Sequence, residues 1–148
     1  MDKQNLWKRP GLYAILAMLL CGTLFYEYED RTAIGKEKQL QHELQNIASM
    51  PHARIVEQKS LHKGGSAYIE TFYSVPSSFQ EIADYYSAEL KANGWVYKQT
   101  RMLPSNIEEV QFCKKSFGFK VTGPLKSTQS PLTFWVDIDW GMNGCSNS

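Results

Sequence analysis

Hydrophobic residues change their spacing several times along the chain, and each change predicts a different element. Residues 10–26 form an uncharged run, PGLYAILAMLLCGTLFY, whose apolar side chains occupy every side of a helix. A helix of this length spans about 25 Å, and Trp7 and Tyr28 extend it into the two interfaces of a bilayer. The run therefore predicts a transmembrane signal-anchor helix over residues 10–28.

The charges that flank this run indicate its orientation. Basic residues precede it and acidic residues follow it: Lys3, Lys8 and Arg9, then Glu27, Glu29 and Asp30. Because basic flanks stay on the cytoplasmic side of a membrane, we expect residues 1–9 to form a cytoplasmic tail. The chain from about residue 28 onwards is then translocated.

Three other interpretations of the run are open. A cleaved secretory signal has the same basic start and apolar middle, although the residues around Cys21 offer poor small-residue cleavage sites. A lipoprotein signal would be acylated at Cys21, but Leu20 stands where a small side chain is expected. A buried helix of a soluble protein would carry a polar side, which this run lacks.

Residues 29–51 are polar and predict a helical stalk, with its helix over about 31–49. Leu40, Leu44 and Ile47 recur at helical spacing and form a narrow apolar stripe. Such a stripe suits either a short coiled coil or packing against the chain's own domain. Pro51 ends the helix, because the residue before a proline avoids the α conformation.

After residue 52 the pattern is that of strands. Alternating apolar residues predict strands over 53–61, Ser66–Val75, 95–102 and Leu132–Trp140, with a turn over 62–65. Residues 109–122 form either two short strands or one long bulged strand. In the last strand, alternation directs Phe134 inward and directs Trp135, Asp137 and Asp139 outward, towards solvent.

One amphipathic helix interrupts these strands. Ser78 and Glu81 form a capping box at its start, and Asn93-Gly94 ends it. Its apolar side consists of Phe79, Ile82, Ala83, Tyr86 and Leu90. Residues 52–148 are thus predicted to form an extracytoplasmic α+β domain, a small antiparallel sheet with one packed helix.

Composition narrows the class of protein. The chain has 148 residues, a net charge of +1, 21% charged residues and 13% aromatic residues. These values suit one folded domain and exclude both a disordered polyelectrolyte and a basic nucleic-acid-binding surface. Cys113 and Cys145 both follow the membrane segment, so we expect a disulfide between them in an oxidising compartment. No Asn-x-Ser/Thr sequon occurs, which favours a bacterial inner-membrane protein with a periplasmic domain.

Candidate catalytic and metal-binding groups are sparse. Asp137 and Asp139 share one side of a strand, but we interpret them as a solvated surface because no third acidic ligand is near in sequence. His42, His52 and His62 match no common helix or strand face and are interpreted as surface residues. The sequence carries no nucleophile motif and no glycine-rich phosphate loop. It therefore predicts neither an enzyme nor a cofactor or metal site.

The remaining signal is aromatic density in the domain. Phe72, Tyr85 and Trp135 fall at positions that one sheet face cannot bury, which predicts partner-binding residues. The alternative is that a second layer of the domain covers them. We expect a single-pass, membrane-anchored protein-binding domain, an accessory subunit of a membrane or envelope complex. Two alternatives are a tethered immunity or inhibitor protein and a carrier of a small ligand or lipid.

Overall fold

Two helices and a six-stranded antiparallel sheet form the described part of the chain. The computed structural model describes residues 10–63, 65–125, 131–141 and 145, and the side chains of residues 10–12, 29, 30 and 63 lie outside this description. The elements are α1 (Pro10–Gln45), β1 (Arg54–Lys63), β2 (Ser66–Val75), α2 (Phe79–Ala92), β3 (Val96–Leu103), β4 (Ile107–Lys114), β5 (Phe117–Pro124) and β6 (Leu132–Trp140). The strand order is β1-β2-β6-β5-β4-β3. The predicted α+β class is confirmed.

The packing differs from the prediction of a sheet with one helix, because both helices pack on the same side of the sheet. Helix α1 contacts β2, β1 and β6, and α2 contacts β3 and β5. Leu40 and Ile47 of the predicted stripe are almost inaccessible to solvent, as is Ala33, and Leu44 is partly buried against the core. Helix α1 starts in the apolar run and continues without a break to Gln45. In the turn that follows, the amides of Asn46 and Ile47 donate hydrogen bonds to the carbonyls of His42 and Leu44.

The two halves of α1 have different surroundings. From Tyr13 to Tyr28 the large apolar side chains are exposed, whereas the second half is held to the sheet. Within the residues that the structure describes, no helix is long and apolar enough to cross a membrane. The predicted cytoplasmic tail, residues 1–9, lies outside the described residues, as do the side chains at the start of the predicted span.

Helix α2 begins and ends as the sequence predicts. The Ser78 side chain accepts a hydrogen bond from the Glu81 amide, and the Glu81 carboxylate accepts one from the Ser78 amide. The predicted apolar side is buried at every position: Phe79, Ile82, Ala83, Tyr86 and Leu90. Gly94 takes a φ of +79°, which a residue without Cβ adopts freely, and the chain then turns to bury Trp95.

Strand boundaries follow the alternation closely. β2 and β6 have the predicted bounds, whereas β1 continues to Lys63 and shortens the predicted turn. Residues 107–124 form two separate strands, which decides between the two alternatives for this segment. The inner face of the sheet, the face under the helices, carries the core residues Ile69, Tyr73, Phe119, Val121, Phe134, Val136 and Ile138.

One end of the domain lies next to the exposed half of α1. Glu37 accepts a hydrogen bond from His62 at 2.8 Å, and Gln45, two turns later, shares a cavity with Gln58. Helix α1 therefore runs antiparallel to β1. The proximal end of the domain, which comprises the β1–β2 turn, the β4–β5 turn at 115–116 and the α2–β3 junction at 93–95, is the end nearest Tyr28.

Candidate functional site: the outer face of the sheet

The sheet has a second face that neither α1 nor α2 covers, which we call the outer face. Register places three cross-strand pairs on it, Tyr68 with Asp139, Glu70 with Asp137, and Phe72 with Trp135. Lys120 on β5 lies opposite Asp137, and Glu109 and Gln111 follow on β4. The three central strands thus bring aromatic and charged side chains together at the middle of this face.

Two of the three predicted partner-binding residues meet on the outer face. The rings of Phe72 and Trp135 lie 6.0 Å apart between centroids, and the ammonium of Lys59 lies 5.2 Å from the Phe72 centroid. Both aromatic side chains are partly exposed. They form an aromatic pair with a cation against one ring, an arrangement common at protein interfaces.

Tyr85 is not part of this group, because it lies on the helical side of the sheet. Its hydroxyl donates to the carbonyl of Ser49 at 3.1 Å, and its ring meets Tyr86 edge-on at 5.4 Å. Burial and the nearby Glu89 raise the pKa of this phenol. Tyr85 therefore ties α2 to the segment that follows α1.

The charged centre of the outer face contradicts one prediction. Asp139 was expected to be solvated, yet it is 2% exposed and Lys120 Nζ lies 3.0 Å from its Oδ2. This ion pair lacks hydrogen-bond geometry, and among the described residues neither carboxylate oxygen of Asp139 accepts a hydrogen bond. Alternation gives the face on which a side chain lies, but the neighbours that cover it come from β2 and β5, which are distant in sequence.

Asp137 lies beside this ion pair and also departs from the solvated interpretation. Burial raises the pKa of Asp137 to about 7, with further increases from the negative charges of Glu70, Asp139 and Glu109, while Lys120 opposes the rise. Both the protonated and the ionised form of this carboxyl group are thus populated near neutral pH. Tyr68, Lys120, Asp137 and Asp139 line a cavity of about 220 Å³.

Ordered polar pairs continue from this centre to the β3 edge. Arg101 Nε donates to Glu109 at 2.6 Å, and Gln99 donates to the Gln111 side chain at 2.9 Å. The hydrogen bond to Glu109 and the negative charge of Glu109 raise the pKa of the Arg101 guanidinium. Such pairs satisfy buried polar groups of β4 and keep this part of the face rigid.

The predicted disulfide is present. Cys113 and Cys145 are joined with their Cα atoms 5.7 Å apart, and Cys113 lies on the outer face of β4 at the proximal end. The bond holds residue 145 against the sheet. Cys21, in the exposed half of α1, is a free thiol.

The centre carries more carboxylates than cationic groups. The charges of Glu70, Asp139 and Lys120 all act on Asp137, so the centre attracts a positively charged group when Asp137 is ionised. The described part of the chain holds no group of three or more His, Cys, Asp or Glu side chains placed to hold a metal ion. The surrounding rings of Tyr68 and Phe72 add apolar contact area.

Sequence reasoning missed Lys120, Glu70 and Tyr68 as members of this centre. One signal was available, because Lys120 is the only charged residue within the apolar segment Phe117–Pro124. A lone lysine in a central strand requires a buried counter-ion. The paired aspartates of β6 are the natural candidates for that counter-ion.

Comparison of the chain with family models, with curated proteins and with solved structures gives no match.

Proposed function

We propose that this chain is a membrane-anchored protein-binding domain, an accessory subunit of a bacterial envelope complex whose outer face contacts a protein partner. The observation that carries the proposal is the apolar surface of α1. Met18 is 75% exposed, Phe25 64% and Tyr28 71%, and this surface continues into the helix that holds the domain. An apolar surface of this extent is a site of membrane or protein contact.

Charge and redox chemistry support the orientation. Lys8 and Arg9 precede the apolar residues, and Glu27 follows them, which favours a cytoplasmic N-terminus. A disulfide between Cys113 and Cys145 is typical of a domain in an oxidising compartment such as the periplasm. Both observations support a domain on the periplasmic side of the inner membrane.

The outer face supports the second half of the proposal. The Phe72–Trp135 pair offers rigid, amphipathic contact area, and the adjacent carboxylates give the surface a charge that a partner can recognise. The exposed surface of α1 belongs to the same continuous helix that packs on the sheet. A partner that also spans the membrane can thus contact both.

Two experiments test the proposal in turn. In cells, an alkaline wash of the membrane fraction should leave the chain in the pellet, and a reporter enzyme fused after Ser148 should be active only outside the cytoplasm. Release of the chain by the wash, or an active cytoplasmic reporter, would refute the anchor and its orientation.

The partner is then sought with a photoreactive amino acid placed at position 72, 135 or 85. We expect one discrete cross-linked protein from positions 72 and 135 and none from position 85, which lies on the helical side of the sheet. Cross-links of equal yield from all three positions, or from none, would contradict binding at the outer face.

A tethered immunity or inhibitor protein remains the first alternative function. It shares the anchor and the disulfide, and it differs from a subunit in the time at which its partner is bound. A subunit should be extracted in a stoichiometric complex from unstressed cells, whereas an inhibitor should be extracted alone until its target is added.

A further inference from the structure

Two carboxylates face each other across the central strands of the outer face. Glu70 of β2 is paired with Asp137 of β6 in the sheet register, and both side chains are partly exposed. Side chains directly opposite each other on antiparallel strands have Cβ atoms about 5 Å apart, and like charges at this spacing are destabilising. These two residues, which we call the carboxylate pair, are therefore stabilised by any positive charge that reaches them.

The lysines nearest to the carboxylate pair contact other residues. Lys59 lies opposite Glu70 in the register, but its ammonium is 3.1 Å from the carboxylate of Glu57. Lys120 lies opposite the second member of the pair, but its ammonium is 3.0 Å from Asp139 Oδ2. Among the described residues, neither member of the carboxylate pair belongs to an ion pair.

A cavity of about 220 Å³ opens at Asp137, which lines it together with Tyr68, Lys120 and Asp139. Asp139 is 2% exposed, and its oxygens accept no hydrogen bond from the described residues, which leaves Lys120 as its counter-ion. Because a buried carboxylate without a counter-ion is costly, Lys120 is held at Asp139 and does not neutralise Asp137 as well. The cavity therefore has an accessible carboxylate and no cation of its own to balance it.

We propose that this cavity takes up the ammonium group of a lysine side chain of the protein partner, an inference that rests on the proposed binding at the outer face. The ammonium lies between Glu70 and Asp137 and supplies the missing positive charge. Its three donors point apart and suit acceptors on two strands, whereas the flat fork of a guanidinium matches both oxygens of one carboxylate. The methylene chain of the lysine packs against Tyr68.

The neighbouring aromatic side chains favour a protein over a free amine as the source of the ammonium. Phe72 and Trp135 lie two residues further along the same strands, about 7 Å from the carboxylate pair. An apolar side chain and a lysine at positions i and i+2 of an extended segment have this same spacing. Such a partner segment contacts the aromatic rings and the carboxylate pair at once, with charge opposite to that of the cavity.

The test joins carboxylates to amines directly. Membranes that contain the full chain are treated with a water-soluble carbodiimide, which couples a carboxylate to an adjacent primary amine and takes up the water released, and joined peptides are identified by mass spectrometry. We expect an amide between Asp137 or Glu70 and one lysine of the protein that is photo-cross-linked from position 135. The half-exposed Glu57–Lys59 pair should form an amide within the chain, which shows that the reagent reaches the outer face.

Two variants measure the contribution of the charge. Asp137→Asn should lower the yield of the photo-cross-link from position 135 at least about tenfold, because the ammonium loses one of its two counter-ions. Glu57→Gln is the matched control, since it removes a carboxylate of β1 that already contacts Lys59, and the yield should stay unchanged. Circular dichroism checks that both variants are folded. Equal yields from Asp137→Asn and wild type would overturn the inference.

The outcomes separate this inference from the proposed function. The absence of a photo-cross-link from positions 72 and 135 refutes binding at the outer face and this inference together. A photo-cross-link without an amide between the carboxylate pair and the partner refutes the lysine contact alone. An amide between the carboxylate pair and a small cellular amine, with none to the partner, would identify a free amine as the ligand and overturn the assignment.

Discussion

Replacing Asp137 by Asn should stabilise the fold increasingly as the pH rises. Burial raises the pKa of Asp137 from 3.8 to about 7, so the folded chain binds this proton more tightly than the unfolded chain. The free energy of unfolding contributed by this group must therefore fall as pH rises between these two pKa values. The difference corresponds to about 4 kcal/mol once the carboxyl is ionised in both states. Asn cannot ionise and avoids this cost.

The assay is urea-induced unfolding of the wild-type chain and the variant, followed by tryptophan fluorescence from about pH 5 to pH 8. The advantage of Asp137→Asn should grow by roughly 3 kcal/mol over this range. The two chains differ at position 137 alone, so contributions from their other titratable groups cancel in the difference. Asp84→Asn is the matched control, because it makes the same substitution at an exposed position of α2.

Two results would refute the reasoning. A constant difference between Asp137→Asn and wild type at every pH would mean that Asp137 is ionised in the fold throughout, so that its burial has no energetic consequence. A variant less stable than wild type at pH 8 would mean that attraction to Lys120 outweighs burial.

Three further substitutions test the packing and the cross-link. Leu90→Asp should unfold the domain, since Leu90 is fully buried on the side of α2 that packs on the sheet; a native circular dichroism spectrum would show that the helix is oriented differently. Leu40→Ala should lower the free energy of unfolding by about 2–5 kcal/mol, while Ile34→Ala, at a 37% exposed position of the same helix, should cost much less. Equal losses would mean that α1 is not docked. Cys145→Ser should cost about 3–4 kcal/mol, because the bridge joins residues 32 apart; an unchanged urea midpoint under oxidising conditions would contradict this value, and alkylation of Cys113 in the wild type would contradict the bridge itself.

Local patterns along the chain predicted the elements whose signals are contained in a few residues. The Ser78–Glu81 capping box and the spacing from Phe79 to Leu90 predicted α2, its bounds and its buried side. Alternation likewise predicted the bounds of β2 and β6. In these segments the apolar residues of the sequence recur at the spacing of the residues that the fold buries, so local sequence and tertiary structure agree.

Features that depend on distant partners were not predictable in the same way. Asp139 is buried because Tyr68 and Lys120, about 70 and 20 positions earlier in the sequence, flank it across two strand pairings. The cavity lined by Ser87, Trp95 and Phe112 likewise depends on the relative position of α2 and β4. A single sequence gives the spacing of apolar residues in each segment but does not show which strands are neighbours in the sheet. The charged centre forms only because β2, β6 and β5 are neighbours.

Because α1 is continuous, the rotation of the domain about the axis of this helix is fixed relative to the exposed half of α1. Each residue of an α-helix turns the chain by about 100° and advances it by about 1.5 Å. Ala33 is already buried against the domain, and no loop separates it from the exposed half of the same helix. The direction in which the outer face points is therefore fixed relative to the sides of the exposed half of α1. One alanine inserted between Tyr28 and Ala33 would rotate the Phe72–Trp135 pair about the helix axis by about 100°. Seven inserted alanines would restore its original direction and move the domain about 10 Å along the helix axis.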